Sequence, residues 1–340
     1  MVSSSRILVL GAGAWGTALS LVLSRNVMNE VFLWGRDTPA MVHMRHSGLN
    51  EHYLPGVPIP KQIHLISEDD FPVDTDIIIA AVPFQALREV LGNFILKMGP
   101  PRVVACASKG IERGSFLRAD QIVGALCPDR TTFAVLSGPN FASEVARDKP
   151  AAITIASQDA ARGRELVRRF HSKSFRPYFS RDIIGVQVSG AIKNVMAIAA
   201  GICDGLNLGV NSRAALITRG LAEISRFGIA QGGKMETFMG LSGVGDLVLT
   251  CTDSQSRNRH FGLLLAAGLN AEDAITEIGL IEGATTATAL TALARQLQID
   301  MPISEEVAAT IAGTVTPEQA VKNLLDRVPV AETFEPATSK

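Results

Sequence analysis

Lys193 stands in the segment VQVSGAIKNVMAIAAG, where small and apolar residues surround it on every side of a predicted helix. Because such a helix has no polar face, we expect Lys193 to be at least half buried. Burial favours release of the ammonium proton, which suits a proton donor. Asn194 beside it adds an amide donor and acceptor. The alternative is a lysine whose aliphatic stem carries the ammonium group to the surface.

A phosphate-binding pattern follows further along the chain. Ser256, Arg257 and Asn258 open the helical run HFGLLLAAG, with Ser256 as a plausible N-cap. Free N–H groups at a helix start, together with an arginine, can bind a phosphate. Asp246, in LSGVGDLVLTC, fits two interpretations equally well. It either caps a helix or orients a lysine or a substrate hydroxyl.

The N-terminal segment contains a turn of the form GxGxxG, made by Gly11, Gly13 and Gly16. It follows a predicted strand, opens a predicted helix and begins a βαβ unit. In that setting the first glycine permits the turn, the second lets a pyrophosphate approach the backbone, and the third allows close packing. We therefore expect a dinucleotide-binding site. A purely structural glycine turn is the alternative.

The predicted strand ends carry further polar residues. Arg36 follows the second strand, where an NAD-specific site would have an acidic residue, so it favours NADPH, although Asp37 keeps NAD possible. Lys109 ends the strand RVVACAS, and residues 137–139 end the next one. Because parallel strands present their carboxyl ends at one edge, where ligands bind, we expect Lys109 to be functional. A surface role for Arg36 or Lys109 is the alternative.

Composition bounds the class of protein. The 340 residues are 47% hydrophobic and 19% charged, which excludes a mainly disordered chain and predicts two domains. A net charge of −1 gives no reason to expect nucleic acid or an anionic membrane as partner. The four cysteines lack metal-binding spacing and are expected to be reduced. His43 and His46 are spaced for a helix but have no acidic or cysteine partner nearby, so no metal is expected.

The pattern of elements changes once along the chain. Residues 1–182 alternate short apolar runs with helical patterns, which predicts an α/β Rossmann-type domain with a parallel sheet. Residues 183–330 show only helical periodicity, which predicts an all-α C-terminal domain for substrate and catalysis, and 331–340 form a tail. The uncharged run Ile7–Ser24 could pass for a membrane span or a signal peptide, but its glycine spacing predicts strand, turn and helix. We expect a cytoplasmic protein that is not embedded in a membrane.

Several motifs together resemble one family. The motifs are GAGAWGTAL, ASKG, LSGPNFA, GAIKNVMAIAAGICDGL, NSRAALITRGLAEI and GVGDLVLTCTDSQSRN, followed by EG. They resemble the bacterial NAD(P)-dependent sn-glycerol-3-phosphate dehydrogenases, in unchanged order from residue 6 to about 325. The resemblance implies a Rossmann domain, an all-helical domain, an NADP or NAD cofactor and a homodimer. It also implies interconversion of dihydroxyacetone phosphate and sn-glycerol 3-phosphate, for glycerophospholipid synthesis.

The resemblance also implies roles for individual residues. Lys193 would be the proton-transfer residue. Substrate contacts would come from Lys109, Gly138, Asn140, Lys193, Asp246, Ser256, Arg257 and Asn258. Cofactor contacts would come from Gly11, Gly13, Ala14, Trp15, Gly16, Arg36, Lys109, Ala142, Arg257, Leu280 and Glu282. Three departures from the family stand out: Ala14 replaces a common serine, Asn140 replaces serine or threonine, and GLIEG at 279–283 is one residue shorter.

The implied chemistry is hydride transfer to a ketone, with a lysine ammonium stabilising and protonating the carbonyl oxygen. Arg257, assigned to both ligands, predicts that substrate and cofactor meet in a cleft between the domains. Two alternatives remain open. One is a two-domain dehydrogenase of the 6-phosphogluconate or hydroxyacyl-CoA type, which assays with each substrate would distinguish. The other is a silent NADP(H) sensor, which would have lost the lysine or the phosphate-binding helix start.

Overall fold

The computed structural model of the chain describes residues 4–67, 72, 74–127 and 131–328. The predicted tail at 331–340 lies outside these residues. Two compact units are present. One comprises the described residues up to Lys109 together with Leu117–Gln187, and the other comprises Gly110–Phe116 and the described residues from Val188 onward. The sequence placed the division after residue 182, whereas the compact units divide five residues later and the short segment 110–116 groups with the second unit.

The first unit is built on an eight-stranded sheet with helices between the strands. Its strands are β1 (Ser5–Leu10), β2 (Asn29–Trp34), β3 (Ile63–Ile66), β4 (Ile77–Ala80), β5 (Val103–Cys106), β6 (Thr132–Ser137), β7 (Ala151–Ala156) and β8 (Phe175–Ser180). Its helices are α1 (Ala14–Ser24), α2 (Thr38–Ser47), a 3₁₀ turn (Phe84–Ala86), α3 (Leu87–Met98), α4 (Ala119–Leu126), α5 (Ala142–Ala146) and α6 (Ala160–Phe170).

The order of strands confirms the predicted Rossmann-type fold. It runs β3-β2-β1-β4-β5-β6-β7-β8, and the first six strands are parallel to their neighbours. The predicted parallel sheet is confirmed as mainly parallel, with one antiparallel pair: β6 and β7 are antiparallel, while β7 and β8 are parallel to each other. The connection from β6 to β7 holds only the five-residue α5. Antiparallel neighbours need no long crossover helix, whereas a parallel pair usually does.

Alternating residues of the central strands supply two separate cores. Ile7, Val9 and Ile77 point to the face covered by α1, and Leu8 and Leu10 point to the face covered by α3 and α4. Burial on both faces is typical of parallel strands and explains why their sequences are continuous apolar runs. The order of strands reverses direction between β1 and β4, and at such a point open α/β sheets bind ligands beyond the strand ends.

The second unit is helical, and no strand occurs among its described residues, as the sequence predicted. Its helices are α7 (Ile183–Gly205, which begins in the first unit), α8 (Val210–Ala230), α9 (Met235–Phe238), α10 (Asp246–Thr252), α11 (Arg257–Ala266), α12 (Ala271–Ile278), α13 (Glu282–Gln296), α14 (Pro302–Ile311) and α15 (Pro317–Leu325). A π-helical turn at Leu241–Gly245 precedes α10. Sequence periodicity missed β3, α9, α10 and α12, which have four to eight residues each and are too short to show a period.

One helix in the described part of the chain is long and apolar enough to cross a membrane. It is α7, and 94% of its most apolar window is buried inside the fold, as in the core helix of a globular domain. The uncharged run Ile7–Ser24 forms β1, the glycine turn and α1, as the glycine spacing predicted.

A buried carboxylate joins two helices of the second unit. Glu223 on α8 is 2% exposed. It accepts hydrogen bonds from the backbone N–H groups of Ile303 (2.6 Å) and Ser304 (3.3 Å), and from the Ser304 hydroxyl (3.1 Å), at the start of α14. Burial raises the pKa of Glu223 to about 7, although these donors act in the opposite direction.

The raised pKa of Glu223 makes stability depend on pH in a defined direction. The folded protein binds this proton more tightly than the unfolded chain, so stability falls as pH rises from about 4.5 to 7. We expect wild type to lose about 3 kcal/mol relative to Glu223→Gln over this interval and nothing further above it. Urea unfolding of both proteins between pH 4.5 and 8.5 measures the difference. A difference that is the same at every pH would show that Glu223 does not titrate there.

Candidate active site

The glycine turn joins β1 to α1 and leaves room for a ligand beside its backbone. Gly11 has a φ of +111°, and a Cβ atom there would lie 2.7 Å from the carbonyl oxygen of Ala81. A Cβ atom at Gly16 would lie 1.8 Å from the carbonyl oxygen of Gly11, whereas one at Gly13 would meet nothing within 4 Å. The first and third glycines are therefore required by packing, and the second faces open space.

The start of α1 has the properties of an anion site. Gly13 is its N-cap, and no side chain caps the helix, so Ala14, Trp15 and Gly16 offer their N–H groups without a side-chain acceptor. Such groups, with the positive end of the helix dipole, favour a pyrophosphate. The turn thus fits a dinucleotide. Ala14 offers its backbone N–H to a ligand but no hydroxyl.

Asn50 braces the turn, and the sequence analysis did not single it out. Its side-chain amide donates to the carbonyl oxygen of Ala12 (3.0 Å) and to the Thr17 hydroxyl (2.8 Å). Asn50 itself is buried. It lies in a loop without a recognisable motif, so its role depends on a tertiary contact that spacing along the chain does not reveal.

Arg36 and Asp37 follow β2 and have different environments. Arg36 is exposed, and no hydrogen bond or ion pair engages its guanidinium within the described ranges. The Asp37 carboxylate accepts from the N–H of Ala40 at 3.0 Å and caps α2. The carboxylate is thus engaged in helix capping, while the arginine is available to a ligand.

Lys109, Gly138 and Asn140 lie beyond the ends of the adjacent parallel strands β5 and β6. Lys109 is half-buried. The hydroxyl of the preceding Ser108 donates to the carbonyl oxygen of Val82 at 2.6 Å, which ties the segments after β4 and β5 together. The strand order therefore places these predicted site residues at the same edge as the glycine turn, as expected. Ala142 begins α5, which packs against α1.

Asn140 contains a buried polar atom that the protein leaves unpaired. Its amide nitrogen donates to the carbonyl oxygen of Ala152 at 2.8 Å, but its Oδ1 atom is buried without a partner among the described residues. A buried acceptor without a donor is unfavourable by about 1–3 kcal/mol. A ligand hydroxyl would satisfy it, so the replacement of serine or threonine by asparagine is compatible with substrate contact.

In the second unit, Lys193 and Asp246 form a buried ion pair. Lys193 is 8% exposed and Asp246 is fully buried. The Lys193 ammonium donates to Asp246 Oδ1 and, at 2.8 Å, to the hydroxyl of Thr250. Asp246 is the first residue of α10 and follows the N-cap residue Gly245, and its carboxylate is engaged by the Lys193 ammonium. Of the two interpretations left open by the sequence, the structure therefore favours the carboxylate that orients a lysine.

Thr250 completes this group and was missed by the sequence analysis. It lies one helical turn after Asp246, and its hydroxyl donates to the Asp246 carbonyl oxygen at 2.6 Å while accepting from Lys193. Its only signal is the spacing of four residues from Asp246. Inside the apolar run DLVLTC that spacing is indistinguishable from ordinary helix. Together the two side chains fix the position of the ammonium group.

The start of α11 is a second helix N-terminus suited to an anion. Ser256 is the N-cap, as predicted, and its hydroxyl accepts from the N–H of Arg259 at 3.2 Å. Arg257 is exposed, and no ion pair or hydrogen bond to it occurs in the described part of the chain. An unpaired guanidinium beside a helix N-terminus fits a phosphate.

Asn258 links α11 to two other site elements. Its amide donates to Asn194 Oδ1 at 3.2 Å, and its own Oδ1 accepts from the N–H of Gly283 at 2.9 Å. Glu282, immediately before Gly283, begins α13, and Leu280 precedes it as an exposed residue. The start of α11, the helix that carries Lys193 and the start of α13 are therefore connected by direct contacts.

The predicted site residues thus form one group in each unit. The first unit holds Gly11, Gly13, Ala14, Trp15, Gly16, Arg36, Lys109, Gly138, Asn140 and Ala142. The second unit holds Lys193, Asp246, Ser256, Arg257, Asn258, Leu280 and Glu282. No group of three or more His, Cys, Asp or Glu side chains in the described ranges could hold a metal ion.

Comparison with known proteins identifies the family. Residues 6–162 match the model of the NAD-dependent glycerol-3-phosphate dehydrogenase N-terminus, and residues 182–322 match that of the C-terminus. Among curated relatives, the glycerol-3-phosphate dehydrogenase (NAD(P)+) of Nitrosomonas eutropha is 46% identical over 330 residues, covering 96% of this chain and 99% of its own. That of Paucimonas lemoignei is 46% identical over 335 residues, covering 97% and 99%.

A solved structure agrees with these sequence matches. The crystal structure of glycerol-3-phosphate dehydrogenase from Coxiella burnetii is 41% identical, with a TM-score of 0.89, and the match covers 95% of this chain and 99% of that one. The chain belongs to the NAD-dependent glycerol-3-phosphate dehydrogenase family.

Proposed function

We propose that the protein reduces dihydroxyacetone phosphate to sn-glycerol 3-phosphate with NADPH or NADH, and so supplies the glycerol backbone of phospholipids. The observation that carries the proposal is the buried Lys193 ammonium, held by Asp246 and Thr250. A helix start bearing an unpaired arginine lies in the same unit. A silent cofactor sensor would not need either feature.

In this proposal the first unit binds the cofactor. The N–H groups at the start of α1 bind the pyrophosphate, Gly13 lets it approach, and Arg36 meets the adenosine ribose. Lys109 and Ala142 add contacts from the same unit, and Arg257, Leu280 and Glu282 add contacts from the second. When bound, a reduced nicotinamide supplies a hydride to the carbonyl carbon of the substrate.

The second unit binds and protonates the substrate. Arg257, Ser256, Asn258 and the N–H groups of α11 hold the phosphate, and binding energy from this non-reacting group positions the ketone. Gly138 and Asn140, from the first unit, add substrate contacts. The Lys193 ammonium stabilises the negative charge that develops on the carbonyl oxygen and donates a proton to it. Lys109 adds positive charge, and Asp246 keeps Lys193 in place.

Assays of NADPH and NADH oxidation test this proposal directly. We expect rapid oxidation with dihydroxyacetone phosphate and formation of sn-glycerol 3-phosphate in equal amount. Turnover of 6-phosphogluconate or a hydroxyacyl-CoA, with none of dihydroxyacetone phosphate, would contradict it. We further propose a cytoplasmic homodimer, which light scattering of the purified protein would test by giving twice the 36.1 kDa chain mass.

Replacing Lys193 by alanine should abolish turnover while NADPH binding persists. Loss of an acid–base group typically lowers the rate by about 10²–10⁴-fold, and loss of charge stabilisation adds to this. Steady-state kinetics and NADPH titration of Lys193→Ala measure the two effects. Lys322→Ala, at an exposed lysine of the same unit, is the matched control. If Lys193→Ala keeps more than about a tenth of wild-type activity, Lys193 is not the proton donor.

Replacing Arg36 by aspartate should change the preference between cofactors. A charge-assisted contact with the 2′-phosphate contributes about 1.5–3 kcal/mol, so KM for NADPH should rise about 10- to 150-fold and KM for NADH far less. Steady-state kinetics with both cofactors measure the ratio of KM for NADPH to KM for NADH. Arg176→Asp, at an exposed arginine on β8, should leave it unchanged. Equal effects of Arg36→Asp on NADPH and NADH would exclude contact with the 2′ position.

Replacing Arg257 by glutamine should weaken the phosphorylated substrate selectively. We expect a strong rise in KM for dihydroxyacetone phosphate and a moderate one for NADPH. Unphosphorylated dihydroxyacetone should be a poor substrate for both enzymes, at nearly the same rate. The measurement compares the kinetics of wild type and Arg257→Gln, each with dihydroxyacetone phosphate and with dihydroxyacetone. If Arg257→Gln slows both substrates by one factor, Arg257 does not bind the phosphate.

A further inference from the structure

We propose that Asp204 is a positioning residue for the substrate phosphate, acting through Arg259 on the first turn of α11. The inference rests on the proposed function, since it assumes that the start of α11 binds this phosphate. Asp204 lies near the C-terminal end of α7, eleven residues after Lys193 in the same helix. It lies within the motif GAIKNVMAIAAGICDGL, but the family resemblance assigned it no role.

Asp204 is the centre of a partly buried charge cluster. Its Oδ2 atom accepts from Nε (2.9 Å) and Nη2 (2.6 Å) of Arg259, and its Oδ1 atom accepts from Nη1 of Arg213 at 2.8 Å. The side chains of Asp204 and Arg259 are only 13% and 15% exposed. Paired hydrogen bonds between a guanidinium and a carboxylate are strong and restrict orientation. Asp204 therefore anchors α11 to the helix that carries Lys193.

The backbones of α7 and α11 touch beside this anchor. A Cβ atom at Gly201 would lie 2.0 Å from the carbonyl oxygen of Arg259, and one at Gly262 would lie 2.1 Å from that of Ile198. The hydrogen bond from Asn258 to Asn194 continues the contact toward Lys193. Close packing of two glycines fixes the distance between the helices, but bare backbone provides little resistance to rotation of α11 about its axis. The ion pair between Asp204 and Arg259 opposes that rotation, together with the hydrogen bonds of Asn258.

This rotation determines where Arg257 points. Residues two apart on an α-helix are separated by about 200° around its axis, so Arg257 and Arg259 lie on nearly opposite sides. Arg259 is paired with Asp204 and faces α7, whereas Arg257 is exposed. By holding Arg259, Asp204 keeps Arg257 and the N–H groups of the first turn aimed at the ligand. It also prevents Arg259 from competing for the phosphate.

The test compares Asp204→Asn with wild type on phosphorylated and unphosphorylated dihydroxyacetone. Asparagine keeps the size of the side chain and removes its charge. We expect KM for dihydroxyacetone phosphate and the inhibition constant of inorganic phosphate to rise about tenfold or more, and KM for NADPH to rise less. The rate with dihydroxyacetone should stay within about twofold. Arg259→Lys, which keeps the charge without the paired bonds, should show the same pattern with a smaller change.

Asp300→Asn is the matched control, because Asp300 pairs with Arg327 in the same unit and its side chain is 56% exposed. A purely structural role of Asp204 would lower the melting temperature and slow both substrates equally, and this result in either variant would overturn the inference. Failure of the proposed function is distinguishable, because wild type itself would then show no preference for the phosphorylated substrate. If Asp204→Asn does not fold, Arg259→Lys is assayed in its place. The deciding quantity is again the effect on dihydroxyacetone phosphate relative to the effect on dihydroxyacetone.

Discussion

A charged lysine inside an apolar helix must have a partner, and this requirement organises the helical unit. An unpaired buried charge is unfavourable by several kcal/mol, so α7 can carry Lys193 only if another element brings a carboxylate to it. The π-helical turn and α10 bring Asp246, and Thr250 supplies a second acceptor one turn later. The pair is stable as a unit and costly to break on one side. The fold thereby holds an ammonium group ready in a site largely removed from water.

Both units contain a helix N-terminus whose geometry suits an anion. The first turns of α1 and α11 each present backbone N–H groups and the positive end of a helix dipole. The local chemistry differs: glycines at α1 let an extended pyrophosphate approach the backbone, while Ser256 and Arg257 at α11 suit a single terminal phosphate. This arrangement requires no metal ion to neutralise phosphate charge. It also makes phosphate recognition depend on how firmly each helix is held, which gives packing residues such as Asn50 a functional consequence.

Much of this arrangement could be predicted because local chemistry decides it. The glycine turn, the Ser256 cap and the burial of Lys193 each follow from a few adjacent residues. Contacts between distant segments could not be predicted. Asp246 is 53 residues from Lys193, and its local pattern suits a helix cap equally well. The antiparallel pairing of β6 with β7 could not be predicted either. An apolar run that is buried on both faces has the same sequence pattern in parallel and antiparallel pairs. The contacts of Asn50 with the glycine turn and of Thr250 with Lys193 are tertiary contacts between distant segments.

If Lys193 and Asp246 act as one catalytic unit, as proposed, a double-mutant cycle will show it. Turnover of dihydroxyacetone phosphate would be measured for Lys193→Ala, Asp246→Asn and the double variant. Residues that act as a unit are strongly non-additive. We therefore predict that the double variant is no slower than Lys193→Ala and folds more stably, because no buried carboxylate is left unpaired. If the two losses multiply instead, Asp246 acts independently of Lys193, and the account of the site is wrong.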